Sequence, residues 1–99
     1  MKKCNSATLN VGCLGGGVSF YCGKVIKRTR REKNISGFEL GMRLNISQQQ
    51  ISRYERGLSK INIDVLADIA NSLGIPLDTL IKLTFEEMKK NDEIILNKK

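Results

Sequence analysis

Ser36 to Gly57 reads SGFELGMRLNISQQQISRYERG, and the fold turns on this stretch. It holds two capping boxes. In Ser36-Gly37-Phe38-Glu39 the serine side chain accepts from the third backbone amide while the glutamate reaches back, so donors left unpaired in a first helical turn find partners. Phe38, Leu40 and Leu44 recur at helical spacing, which predicts a short helix ending near Leu44. Asn45 and Ile46 make a tight connection. Ser47-Gln48-Gln49-Gln50 is the second box, and Ile51 and Tyr54 supply one buried face of a helix over 48–56 that Gly57 terminates.

Working outward, Val25, Ile26 and Thr29 sit among Lys24, Lys27, Arg28, Arg31 and Lys33, a short helix with a basic exposed side that Asn34 can stop. Downstream, Asn62 can cap a helix whose apolar positions Ile63, Leu66, Ile69, Ala70 and Leu73 follow helical spacing, and Gly74 ends it. Asp64 in its first turn suits the helix dipole. Pro76 opens a fifth helix with Leu77, Leu80, Ile81 and Leu83. These aliphatics form the core, because a domain this small without disulfides needs nearly all of them inside. The expected fold is all-α with five helices.

A chain of 99 residues accommodates one domain, 40% of it apolar and only 5% aromatic, so the core is aliphatic. It has no apolar run long enough to span a membrane. Lys2-Lys3 mimics a secretory leader, but Asn5, Ser6, Thr8 and Asn10 interrupt any apolar segment, so export is not expected and the protein is read as cytoplasmic. There is no histidine, which removes the usual side chain for acid–base catalysis near neutral pH and for imidazole metal sites. The reading is therefore not an enzyme, with no cofactor and no metal. Cys4, Cys13 and Cys22 match neither a redox pair nor a zinc knuckle, and an odd count argues against a disulfide framework; they read as free reduced thiols, with a three-thiolate metal site or redox switch as the alternative.

The net charge of +7 is local. Residues 23–57 carry nine basic groups (Lys24, Lys27, Arg28, Arg30, Arg31, Lys33, Arg43, Arg53, Arg56) against Glu32, Glu39 and Glu55, which is +6 within one block. Such a concentration points to a polyanion partner, since phosphate neutralisation supplies affinity. Within that block, two short helices joined by a tight turn, the second opening in three glutamines, make a helix-turn-helix pattern. A helix entering the major groove presents its N-terminal residues to base edges, and a glutamine amide donates and accepts at once to adenine. Gln48, Gln49, Ser52 and Arg53 lie away from the Ile51/Tyr54 face and are the candidate base contacts. Gln50, as the box partner, is either spent on capping or free to face DNA. Leu58, Ser59 and Lys60 form a loop that faces the backbone in that pose. The candidate phosphate contacts are Lys24, Lys27, Arg28, Ser36, Arg43, Ser47 and Lys60.

From Gly23-Lys-Val-Ile-Lys through Ser36-Gly-Phe-Glu-Leu, Ile46-Ser-Gln-Gln-Gln-Ile-Ser-Arg-Tyr-Glu-Arg-Gly57 and Leu66-Ala-Asp-Ile-Ala-Asn-Ser-Leu-Gly-Ile-Pro-Leu-Asp-Thr-Leu80, the chain resembles the Cro/C1-type (XRE) helix-turn-helix family. The resemblance implies a five-helix lambda-repressor-like DNA-binding domain whose third helix reads bases, and proteins that commonly dimerise on palindromic operators. It also implies that Arg30 and Glu55 form a structural ion pair. The chain departs from the family pattern in three places: Gly37 stands where a phosphate-contacting glutamine is usual, Gly41 stands for the usual alanine at a cost of about 1 kcal/mol in helix propensity, and Ile61 takes the place of a loop proline. A narrower similarity of Ser47–Glu55 to regulators encoded with fimbrial operons of enteric bacteria implies control of adhesion or motility genes.

The expected organisation is a flexible N-terminal arm over 1–22, the helix-turn-helix domain over 23–83 and an extension over 84–99. In the arm, Val18, Phe20 and Tyr21 lay an apolar edge against the first helix, and the remainder has an alternative role of touching DNA beside the main site. In the extension, Thr84-Phe85-Glu86-Glu87 reads as a third capping box, and Phe85, Met88, Ile94, Ile95 and Leu96 read as a dimer element or a frayed terminus packing on the fifth helix. The leading reading is a homodimeric, sequence-specific transcriptional regulator that binds double-stranded DNA, with no membrane partner and no evident small-molecule ligand. The alternative is an antitoxin-like or phage-type regulator whose main partner is another protein.

Overall fold

The computed structural model describes residues 17–97, with side chains described through residue 90. It holds α1 (Gly17–Glu32), α2 (Gly37–Leu44), α3 (Gln48–Glu55), α4 (Ile63–Leu73) and α5 (Leu77–Asn97), and no strand among the described residues. The fold is all-α.

Local chemistry sets the ends of the middle helices. Ser36 Oγ accepts from the Glu39 amide at 2.9 Å, Ser47 Oγ from the Gln50 amide at 3.0 Å and Asn62 Oδ1 from the Val65 amide at 2.8 Å, each capping one N-terminus. Asn34 and Asn45 turn the chain in the left-handed region with φ of 60° after α1 and α2, a conformation asparagine tolerates better than most residues. The Glu39 carboxylate is bonded to Arg43 one turn on.

The aliphatic core consists mainly of Val25 and Ile26 of α1, Leu40 of α2, Ile51 of α3, Ile69 and Leu73 of α4 and Leu80 of α5. Burying each such side chain is worth about 1.5–3 kcal/mol, and together they hold α1 across α3, α4 and α5.

Two glycines permit close helix approach. A Cβ on Gly41 would stand 2.7 Å from the Ile46 carbonyl oxygen, so the residue that weakens α2 in isolation is what lets the turn before α3 fold back on it. A Cβ on Gly23 would collide with the backbone carbonyls of Tyr54 and Glu55, where α1 crosses the end of α3.

Two boundaries differ from the sequence expectation. The first helix begins at Gly17, not Gly23, so Gly17–Cys22 are helical rather than part of an arm. Tyr21 and Cys22 continue the stripe of Val25, Ile26 and Thr29 by one turn, and this stripe gains a partner in Met88 of α5, against which Tyr21 packs. Ser19 adds a tie, its hydroxyl accepting from the Ile61 amide at 3.3 Å. The remainder of the expected arm, with Cys4 and Cys13, lies outside the described residues.

The second difference is that α5 runs without a break through residue 84. Thr84 is no helix cap. Its buried hydroxyl donates to the Leu80 carbonyl at 2.9 Å, a bond to the preceding turn that leaves the helix intact. Met88, read from the sequence as hard to bury in a monomer, is buried, whereas Phe85 is 52% exposed. The side chains of Ile94, Ile95 and Leu96 lie outside the described ones.

Candidate nucleic-acid interface

The short connection Asn45–Ser47 turns α3 across α2, and Ile51 and Glu55 bury one side of α3. Successive helical residues step by about 100°, so the opposite side faces out. Gln49 and Arg53 are exposed there, Gln48 is exposed at the N-terminal end on the flank nearer Ile51, and Ser52 and Gln50 are half-buried. Gln49 and Arg53 are spaced i, i+4 and share one face; Gln48 and Ser52 form the adjoining row. A Cβ on Gly37 would lie 3.7 Å from Gln48 Cγ. Glycine there keeps the space over Gln48 open.

Behind that face Arg30 and Glu55 join α1 to α3. Arg30 Nε donates to Glu55 Oε2 at 2.7 Å and Arg30 Nη2 to Oε1 at 3.1 Å, while Nη1 donates to the Ile35 carbonyl at 2.8 Å. One guanidinium thus fastens α3 to α1 and to the turn that precedes α2. The Glu55 carboxylate raises the Arg30 pKa above its ordinary value, despite partial burial, so the charge is permanent.

The expected phosphate contacts fall into separate settings. Lys27, Ser36 and Gln48 line one cleft between α1, the start of α2 and α3, together with Arg31 and Ser52. Ser47 is exposed at the start of α3, and Lys60 is exposed in the connection to α4. Arg43 is committed elsewhere: it donates to Glu39 at 2.7 Å and to the Ser72 carbonyl at 2.7 Å, tying α2 to α4 near the end of the latter. Arg28 bonds Glu87 of α5 at 2.9 Å, and Lys24 reaches the same carboxylate at 3.7 Å while lying 5.7 Å from the Phe20 ring centroid. Arg28 holds the Glu87 carboxyl below its usual range.

Two exposed arginines of the basic block, Arg31 and Arg56, are not among the expected DNA contacts. Arg31 lies one turn after Lys27 on the same side of α1, and Arg56 follows α3 directly; both line a cleft beside Glu55. The i, i+4 spacing of Lys27 and Arg31 was a legible signal, whereas the crossing of α1 by the end of α3 was not.

A helix-turn-helix family model matches residues 26–80, more than half of the chain. The chain belongs to the Cro/C1-type helix-turn-helix family. Among curated relatives, this helix-turn-helix protein is 31% identical over 75 residues to an uncharacterised transcriptional regulator in the ATPase CF(0) region of Rhodospirillum rubrum, covering 76% of this chain and 66% of that one. It is 32% identical over 76 residues to the transcriptional regulator ImmR of Bacillus subtilis, covering 77% and 59% respectively. The chain therefore spans about three-fifths to two-thirds of the length of these relatives. Its helices superpose on those of the clp gene regulator ClgR from Corynebacterium glutamicum with a TM-score of 0.73 at 20% identity, over 81% of this chain and 87% of the other, a likeness of fold.

In this helix-turn-helix protein, Cys22 is buried in the core, and burial pushes its thiol pKa up, partly offset by a hydrogen bond with Thr84. Thiolate chemistry is thereby disfavoured at Cys22. No described helix is long and apolar enough to cross a membrane.

Proposed function

We propose that the chain is a transcriptional regulator that lays α3 in the major groove of double-stranded DNA, reading bases with Gln48, Gln49, Ser52 and Arg53. The observation that carries this is the division of α3: Ile51 and Glu55 are buried and anchored, while Gln48, Gln49 and Arg53 are exposed together. A rigid back and a polar front suit base readout, in which each good bidentate contact is worth about 1–3 kcal/mol. Lys27, Ser36, Ser47 and Lys60 take the nearest phosphates, with α2 and α3 offering their capped N-termini. Arg43 is assigned to holding α2 on α4.

The protein acts in the cytoplasm as a homodimer, since two units about 34 Å apart match successive major grooves. Support comes from the length of α5, which continues to Asn97, and from exposed Val18, Ile63 and Phe85 around one apolar groove. Adhesion or motility genes are the proposed targets on the similarity of the Ser47–Glu55 segment alone.

The test is DNA affinity at fixed salt on the gene's own upstream region and on scrambled DNA. Wild type is expected to prefer the upstream region, and Gln48→Ala/Gln49→Ala to lose that preference while keeping its fold. Equal binding to both DNAs by wild type and variant would overturn base reading by α3 on this region.

A further inference from the structure

The cleft containing Gln48 and Ser52 continues past Glu55 into a larger open groove of about 620 Å³, and Lys27, Arg31 and Glu55 stand in the walls of both. The two form one channel that starts beside the outward side of α3 and runs along α1. In its far part the walls carry Lys24, Arg28 and Arg56, with the carboxylate of Glu32, over Phe20.

Cations outnumber carboxylates along it: its walls hold Lys24, Lys27, Arg28, Arg30, Arg31 and Arg56 against Glu32 and Glu55. Glu55 is occupied by Arg30, and Glu87 at the edge is shared by Lys24 and Arg28. Among the described residues, Lys27, Arg31 and Arg56 have no carboxylate oxygen within 4.0 Å. Cations crowded in this way repel one another and attract an extended anion. Lys24 and Arg31 stand seven residues apart on α1, about 10 Å at 1.5 Å per residue. Successive phosphates on one DNA strand advance about 3.4 Å along the axis, so the channel matches a short run of backbone rather than a single phosphate.

We propose that this channel holds the DNA backbone just outside the base pairs read by α3, with Arg31 and Arg56 as direct phosphate contacts and Glu87 as an intramolecular competitor for Lys24 and Arg28. The proposal rests on the DNA-reading role of α3. Glu87 keeps two cations paired within the protein when DNA is absent, and phosphate oxygens replace it when the backbone enters. The competition sets how strongly the protein holds DNA of any sequence, apart from how it tells sequences apart.

The experiment measures binding to a random-sequence DNA duplex several turns long, as a function of salt, with the full chain. Each phosphate contact contributes about 0.9 to the slope of log affinity against log salt, so Arg31→Gln/Arg56→Gln is expected to flatten the slope by about 1.8. Arg31→Lys/Arg56→Lys keeps the charge and is expected to keep most of the slope. Glu87→Gln is expected to tighten binding several-fold, a gain that disappears in the Lys24→Gln/Arg28→Gln background. An unchanged slope in Arg31→Gln/Arg56→Gln overturns the channel as a backbone site, and a Glu87→Gln gain that survives loss of Lys24 and Arg28 overturns the competition. Absence of any duplex binding by wild type removes the DNA role of α3 along with this proposal, whereas wild-type binding with unaltered groove variants removes this proposal alone.

Discussion

Arg30 on α1 and Glu55 at the end of α3 meet in a bidentate pair at 2.7 and 3.1 Å, with their side chains only 11% and 6% exposed. The pair sits behind the outward face of α3 and sets its angle to α1. A parallel fork of two charge-assisted bonds fixes direction as well as distance, so the placement of the exposed side of α3 depends on a contact buried behind it.

Removing one partner leaves a nearly buried charge uncompensated, which costs about 3–5 kcal/mol. Glu55→Ala is therefore expected to lower the denaturant midpoint strongly. Arg30→Met/Glu55→Met, which removes both charges, is expected to cost clearly less than the two single changes added together, as unfolding of all three variants by urea would show.

Gly41→Ala tests packing against propensity. Helix propensity alone favours alanine by about 1 kcal/mol, but the new methyl meets the Ile46 carbonyl oxygen at 2.7 Å. Overpacking of this kind costs about 1–3 kcal/mol. A net loss of stability is expected in thermal unfolding, and a gain would contradict the close approach of α2 to the following turn.

Arg43→Ala separates a structural tie from a phosphate contact. The guanidinium holds Glu39 and the Ser72 carbonyl, and a hydrogen bond from a charged donor is worth about 1.5–3 kcal/mol net, less for an exposed one. The expected outcome is lower stability with an unchanged salt slope of DNA binding. A slope flattened by about 0.9, with stability retained, would move Arg43 to the interface.

Glu87 gives the molecule an acid-sensitive contact. Its carboxyl pKa is held below the ordinary 4.5 by Arg28, so the folded state favours the carboxylate. A group with a depressed folded pKa contributes stability above its unfolded pKa and loses that contribution as pH falls through the folded value. Unfolding of wild type and Glu87→Gln at pH 7 and again well below the ordinary carboxylate range is expected to show a stability difference that shrinks in acid.

Cys22 is expected to resist thiol reagents at neutral pH in a Cys4→Ser/Cys13→Ser background and to react fully after unfolding, because it is buried and its pKa lies above the ordinary 9.0. Rapid labelling of the folded protein would restore a redox reading.

The middle of the fold was legible because its signals are local. Ser36, Ser47 and Asn62 cap the helices that follow them through bonds spanning three residues, and such bonds depend on little beyond the neighbouring backbone. The apolar spacing of Leu40, Ile51, Leu66, Ile69 and Leu73 selects the inward side of each helix, which leaves Gln49 and Arg53 outward by elimination, while Gln48 is exposed as the first residue of α3. The ends of the chain were less legible. Gly17–Cys22 carry no cap, and only Tyr21 and Cys22 continue the apolar stripe; the segment packs where Tyr21 meets Met88, a contact between the two terminal helices. Thr84 carried a capping signature that its bond to Leu80 cancels once the helix continues.

The sequence by itself determined the helix-turn-helix segment, its boundaries and the side chains it turns outward, since capping and periodicity act within a few residues. Only the tertiary structure decided what the basic residues do, because charges carry no address. Arg30 meets Glu55 at a separation of 25 residues, Arg43 meets Ser72 at 29 and Arg28 meets Glu87 at 59. In one stretch of the chain these arginines look alike; the packing of α1 against α3 and α5, and of α2 against α4, makes them into ties, while Lys27, Arg31 and Arg56 face an open channel.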